Sequence, residues 1–308
     1  MVGPGESGPI LTATAHVSTA HPQASGHPMQ IYPSVAVVLV LAAAGGPGAA
    51  LPTVSAFQNA RAAQRPATSA GYRAPRAADG HADLNGIWQA MNTANWDIQD
   101  HAARQGPVAA LGASFSVPGG AGVVEGNELP YQPWAATQKQ ENASNWLTLD
   151  PEVKCYMPGV PRATYMPHPF QIVQSTSTIL ISYEFASASR IVHMKDVGAA
   201  PLDSWMGWSR GRWDGDTLVV DVTGLNEQTW FDRAGNFHSE ALHVVERYTR
   251  TGPDQLLYEA TVEDPKVFTR PWKMSMPLYR RIEKNAQLFE YKCVEFVEEL
   301  MYGHLRKK

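Results

Sequence analysis

The stretch Arg212-Trp213-Asp214-Gly215-Asp216-Thr217 constrains this chain more than any other, because it sets Asp-Gly between two runs of strand character. On its C-terminal side Leu218, Val220 and Val222 alternate with Thr217, Asp221 and Thr223. Period-two alternation fits a half-buried strand and not an amphipathic helix. A type I′ turn needs positive φ at both central residues, which Asp-Gly tolerates, so the segment reads as a tight hairpin of antiparallel strands.

The same punctuation recurs along the C-terminal half. Ile179, Ile181, Tyr183 and Phe185 share one face of a strand, with Ser182 and Glu184 on the other. Thr251-Gly252-Pro253-Asp254 separates residues 242–250 from 256–263, and Glu283-Lys284-Asn285-Ala286 separates 272–281 from a further strand at 288–295. A meander of roughly seven or eight strands leaves two edges unless it closes, and closure removes both. The expected fold is therefore mainly β: an antiparallel meander closing into a barrel, with a short C-terminal helix. That helix spans 295–305, where Phe296 and Leu300, beside Val297 and Met301, would lie on the barrel wall. Asn85-Gly86-Ile87-Trp88 resembles the Gly-x-Trp entry of calycin, or lipocalin-like, barrels.

The N-terminal composition is of another kind. Up to Ala60 there is no Lys or Arg and a single acid, Glu6, while all nine Trp lie between Trp88 and Trp272. Residues 35–44 (VAVVLVLAAA) form an apolar run, followed by Gly45-Gly46-Pro47-Gly48 and the small-residue pattern Val54-Ser55-Ala56. This reads as a secretory signal peptide, although its n-region carries no positive charge. The run is shorter than the roughly 20 residues a stable membrane span needs. The expected organisation is a signal peptide with an upstream extension over 1–56, a disordered Ala/Arg/Pro/Ser linker over 57–81, and one barrel domain over 82–308, in a periplasmic or secreted protein. In such a compartment Cys155 and Cys293 read either as a disulfide or as two buried thiols. The formal net charge is −4 with dispersed basic residues, which argues against a nucleic-acid partner.

Four longer stretches carry a wider resemblance. Leu129-Pro-Tyr-Gln-Pro-Trp134, Lys154-Cys-Tyr-Met-Pro-Gly-Val-Pro-Arg162, residues 211–221 (GRWDGDTLVVD) and residues 238–248 (HSEALHVVERY) are similar to those of a large family of exported bacterial proteins usually labelled hypothetical. The resemblance runs from Leu84 to the C-terminus and implies export and a single domain. It implies no reaction and no residue roles.

Several constellations could carry chemistry. Gly207-Trp208-Ser209-Arg210-Gly211 satisfies the nucleophile-elbow pattern, but it leads into a strand hairpin and not a helix, so Ser209 is not expected to be a nucleophile. Residues 230–248 hold Asp232, Arg233, His238, Glu240, His243, Glu246 and Arg247. His238 and His243 are five apart, on opposite faces of a strand, and no metal site is expected. Glu246 shares its face with Leu242, Val244 and Tyr248, so it must be paired, with a buried Arg such as Arg162, or protonated. That makes Glu246, with His238, His243 and Asp232, the candidate acid-base set. The Pro-rich loop 158–169 offers Arg162, Tyr165 and His168 as ligand contacts, with Trp230 and Tyr248 beside them.

The leading expectation is extracytoplasmic binding of a small, partly apolar molecule in an aromatic barrel cavity, with no cofactor. The alternatives are an enzyme (lyase, isomerase or hydrolase) using Glu246 with His238 or His243, and a structural envelope protein.

Overall fold

The computed structural model describes residues 71 to 306, so the expected signal peptide and most of the expected linker lie outside the described residues. Within the remainder of that linker span, Asp79 accepts from the Gln174 side chain at 2.9 Å and the His81 ring stacks on Trp213. The chain is thus tied to the barrel before residue 82.

Nine strands form a closed barrel in sequence order: β1 (Gly86–Ala90), β2 (Phe170–Gln174), β3 (Thr178–Tyr183), β4 (Ser189–His193), β5 (Trp208–Asp214), β6 (Thr217–Thr223), β7 (His243–Gly252), β8 (Gln255–Glu263) and β9 (Trp272–Arg280). Neighbours are antiparallel except β4 and β5, which run parallel and pair only at Val192↔Ser209 and His193↔Arg210. A parallel pair requires the chain to return to the same end first, and residues 194–207 make that return.

The Asp-Gly hairpin is present, with a difference in turn chemistry. Asp214 pairs with Thr217, so the two turn residues are Gly215 and Asp216, and of these Gly215 alone has positive φ. That is the demand of a type II′ turn, which asks for glycine at its first central position, and not of type I′.

The expected strand at 288–295 is absent. β9 already pairs with β1, Trp88 opposite Arg280, which closes the barrel and leaves no edge for a further strand. Residues 286–294 instead run outside the barrel, with Phe289 65% exposed. Cys293 on this stretch is joined to Cys155 in a disulfide, Cα to Cα 5.7 Å. The C-terminal helix covers Val297–Arg306 but turns Leu300 outward at 70% exposure, and its Tyr302 packs on Phe115.

Inside the barrel the alternation does what one-face burial requires. Leu218, Val220, Val222, Val244, Tyr248, Leu256, Tyr258, Val262 and Leu278 are all fully buried. Each large apolar side chain removed from water contributes about 1.5–3 kcal/mol. One end is filled by Trp88, whose indole N–H donates to the Leu84 carbonyl at 3.0 Å beneath the Arg250 and Arg280 guanidiniums.

The other end is covered by a cap of loops and short helices: α1 (Pro133–Ser144), α2 (Trp146–Leu149) and α3 (Arg162–Tyr165) from the long β1–β2 connection, together with the β6–β7 connection. Of α3, all four residues are buried. The cap is what brings residues distant in sequence over the barrel mouth.

Candidate functional site

The inward row Val220, Glu246, Ala260 and Met274 crosses four adjacent strands, so Glu246 faces the lumen as the alternation requires. Its partner is Arg190 on β4, and not Arg162. The two guanidinium ends of Arg190 reach the two carboxylate oxygens at 2.6 and 3.0 Å, and both side chains are buried. Tyr248 and Tyr258 donate their hydroxyls to Glu246 Oε1 at 3.0 and 2.9 Å. Arg190 also donates to Tyr183 Oη at 3.1 Å and to Ser209 Oγ at 3.3 Å. Burial, then the charge of Glu246, pushes the Tyr248 and Tyr258 hydroxyls well above the usual tyrosine range, so both stay protonated donors. Ser209 lies on a strand, 1% exposed, with its hydroxyl against this arginine. That is a structural position, with no histidine in hydrogen-bond reach.

Arg162 belongs to a second cluster, in the cap. Its guanidinium holds both Asp150 oxygens at 2.8 and 2.9 Å, Glu152 at 2.7 Å and Asn95 Oδ1 at 2.9 Å. Arg233 grips Glu152 from the other side at 2.7 and 2.8 Å, and its guanidinium lies over the Trp96 and Trp146 rings at 4.5 and 4.9 Å. Burial alone would raise the Glu152 carboxyl, but Arg233 and Arg162 outweigh it and hold the group down at about 2. Arg233 is prefigured in the sequence only by the polar density of 230–248; Asp150 and Glu152 carry no periodic signal at all.

The remaining candidates of the acid-base set are not brought to Glu246. His238 is buried, and because Nδ1 faces the Ser239 carbonyl at 2.8 Å it must donate there, leaving Nε2 to accept from the Thr229 hydroxyl at 2.6 Å. That tautomer is neutral, in keeping with a pKa lowered by burial. His243 points to the outer face, where Nε2 meets Asp221 at 3.1 Å. Asp232 sits in the cap, fully buried, accepting from Ile98 N at 2.9 Å and from the Asn236 side chain and backbone at 2.6 and 3.1 Å. Burial, reinforced by the charge of Asp97, pushes its carboxyl up to about 7 against those donors.

The ligand-contact candidates are likewise dispersed. Tyr165 is buried and donates to the Phe231 carbonyl at 2.9 Å, Trp230 packs in the β6–β7 connection bridged to Phe237, and Tyr248 is in the lumen. His168 does reach an open surface. Its ring lies against Phe185 and Tyr291, and these two line a cleft of about 180 Å3 at the barrel mouth. Val153, Val294 and Val297 extend the apolar part of the lining, and the Glu152–Arg233 pair with Glu298 supplies its charged part. Cys293 is part of the lining, so the disulfide fixes this wall to the cap. Among the described residues the Tyr291 hydroxyl has no hydrogen-bond partner, whereas the charged groups across the cleft are already paired.

No group of three or more His, Cys, Asp or Glu among the described residues is arranged to hold a metal ion, and no described helix is long and apolar enough to cross a membrane. Compared with family models, with curated proteins and with solved structures, the chain finds no match in any of the three.

Proposed function

We propose that this is an exported protein that binds a small, partly apolar molecule, and that the molecule sits in the cleft at the barrel mouth and not among the lumen side chains. The observation that carries the reading is the composition of that cleft: an aromatic and aliphatic lining, one free hydroxyl on Tyr291, and charged groups that are already engaged in ion pairs, Arg233 with Glu152 and Glu298 and Lys292 with Glu290. Such a lining favours a neutral ligand with an apolar body and a single hydroxyl or carbonyl for Tyr291. The polar groups of the lumen, by contrast, are bonded to each other, so a ligand there would have to break the Arg190–Glu246 pair. Export is supported by the disulfide, which persists in oxidising compartments, together with the apolar run at 35–44.

The test is native mass spectrometry of the protein from its own host, with identification of the retained molecule and rebinding to Tyr291→Phe and Phe185→Ala. Rebinding weakened by roughly tenfold in each variant is expected, since a lost hydrogen bond or a lost apolar wall is worth about 1 kcal/mol or more. Absence of any retained molecule, or rebinding indifferent to both substitutions, would overturn the proposal.

A further inference from the structure

The outer wall between β4 and β7 carries a second groove, of about 360 Å3, remote in character from the mouth. It exists because the parallel β4–β5 pairing lasts for only two residue pairs, after which the chain leaves the wall at Met194. Its floor is Val219 and Val245, and its walls carry Lys195, Arg210, Arg212 and Asp221.

The cations here are not matched as those of the mouth are. Asp221 is already shared between Arg210 at 3.0 Å and His243 at 3.1 Å. Asp196, the other acid of the lining, accepts from the Gly198 backbone at 3.0 Å. Asp214, two residues from Arg212 on the same face of β5, bonds to Arg247 at 2.9 Å instead. Among the described residues Arg212 and Lys195 therefore make no hydrogen bond or ion pair, and Arg210 Nε is a buried donor that meets no acceptor.

We infer that this groove is a binding site for a small amphiphilic oxyanion, a carboxylate or phosphate monoester whose head group is held by the exposed Arg212 and Lys195, beside the Arg210–Asp221 pair, while its apolar body lies on Val219 and Val245. Guanidinium donors match the planar or tetrahedral oxygens of such head groups, and a charge-assisted bond is about twice as strong as a neutral one. The valine floor distinguishes the ligand from a bare inorganic ion. The site is independent of the mouth cleft, which favours a neutral molecule.

The experiment is calorimetric titration of the full chain with hexanoate, hexyl phosphate, hexanol and inorganic phosphate, repeated on the Lys195→Gln/Arg212→Gln double variant. Both side chains are exposed, so the unfolding midpoint of the variant is expected to stay at that of the parent. Saturable binding of hexanoate, hexyl phosphate or both, at least roughly tenfold tighter than hexanol and lost by a similar factor in the variant, is expected. Whichever of the two binds identifies the head group. Binding of neither, binding indifferent to the double substitution, or inorganic phosphate binding as tightly as hexyl phosphate would each overturn the inference.

Discussion

The lumen and the cap each bury an ion cluster, and they are built in opposite ways. In the lumen one arginine and one glutamate meet on strands β4 and β7, ringed by the hydroxyls of Tyr183, Tyr248 and Tyr258. In the cap two arginines serve two carboxylates, and every member comes from a loop or a short helix. Strands deliver a side chain to a fixed depth, so a single pair with neutral neighbours suffices. Loops do not, and there the charges themselves hold the segments in register over the mouth. Losing a charge from the cap should therefore cost more than losing one from the lumen.

The largest expected effect follows from that difference. Arg162→Met leaves Asp150 with no cation, only the Glu152 backbone N–H at 2.9 Å, and leaves Glu152 with Arg233 alone; a buried pair broken from one side costs about 3–5 kcal/mol, with this doubly engaged arginine at the upper end. Arg190→Met leaves Glu246 with the two tyrosine hydroxyls that still donate to it, and about 3 kcal/mol is expected. Urea unfolding of the two variants checks the order; a larger loss for Arg190→Met would show that the lumen pair, and not the cap, carries the structure.

An effect no larger than that of Arg190→Met is expected from the crosslink. Cys155→Ser with Cys293→Ser frees the outer stretch that lines the mouth cleft while leaving all nine strands intact. About 3 kcal/mol is the ordinary size of such a loss. Because the whole domain becomes less stable, protection of the slowest amides in β5 to β9 should fall by one common factor, while amides around 286–296, outside the barrel, should fall by more. Hydrogen exchange showing no greater loss at 286–296 than in the barrel would erase the separation between the two regions.

How much of this the sequence discloses differs in the same way between the regions. Alternation located β6 to β8 and put Glu246 inside, because a one-residue slip would have buried His243 and Arg247. It did not disclose the partner, since on β4 the rule is inverted: Arg190 is buried and Ile191 is 49% exposed. The only trace is that Arg190 is in phase with Val192, which faces inward. Alternation also misplaced 288–295, whose apolar residues pattern like a strand but find the barrel already closed by β1. The cap has no period to read. Asp150, Glu152 and Arg233 are up to 83 positions apart, and only the folded loops bring them together.

The smallest expected effect is a matter of pH, and it separates two cap carboxylates by sign. Glu152 is held down at about 2, below the usual 4.5, so its contribution to stability is complete above pH 4.5 and is lost as pH falls through 2. Asp232 is pushed up to about 7 from 3.8 because burial and Asp97 disfavour its charge, so its folded form prefers the proton. Its contribution is complete below pH 3.8 and is lost as pH rises through 7. Between about pH 5 and pH 8 the parent should therefore lose stability on this account, by about 2–3 kcal/mol, since each pH unit between 5 and 7 costs up to about 1.36 kcal/mol. Asp232→Asn cannot ionise and should flatten that decline, even though its amide gives up one acceptor to the Ile98 and Asn236 donors and lowers stability at pH 5. Thermal midpoints of parent and variant at pH 5 and pH 8 decide it: the gap between them should narrow by about 8 °C at the higher pH. An unchanged gap would mean that Asp232 is ionised throughout, and that the cap tolerates a third buried carboxylate charge as readily as the two its arginines neutralise.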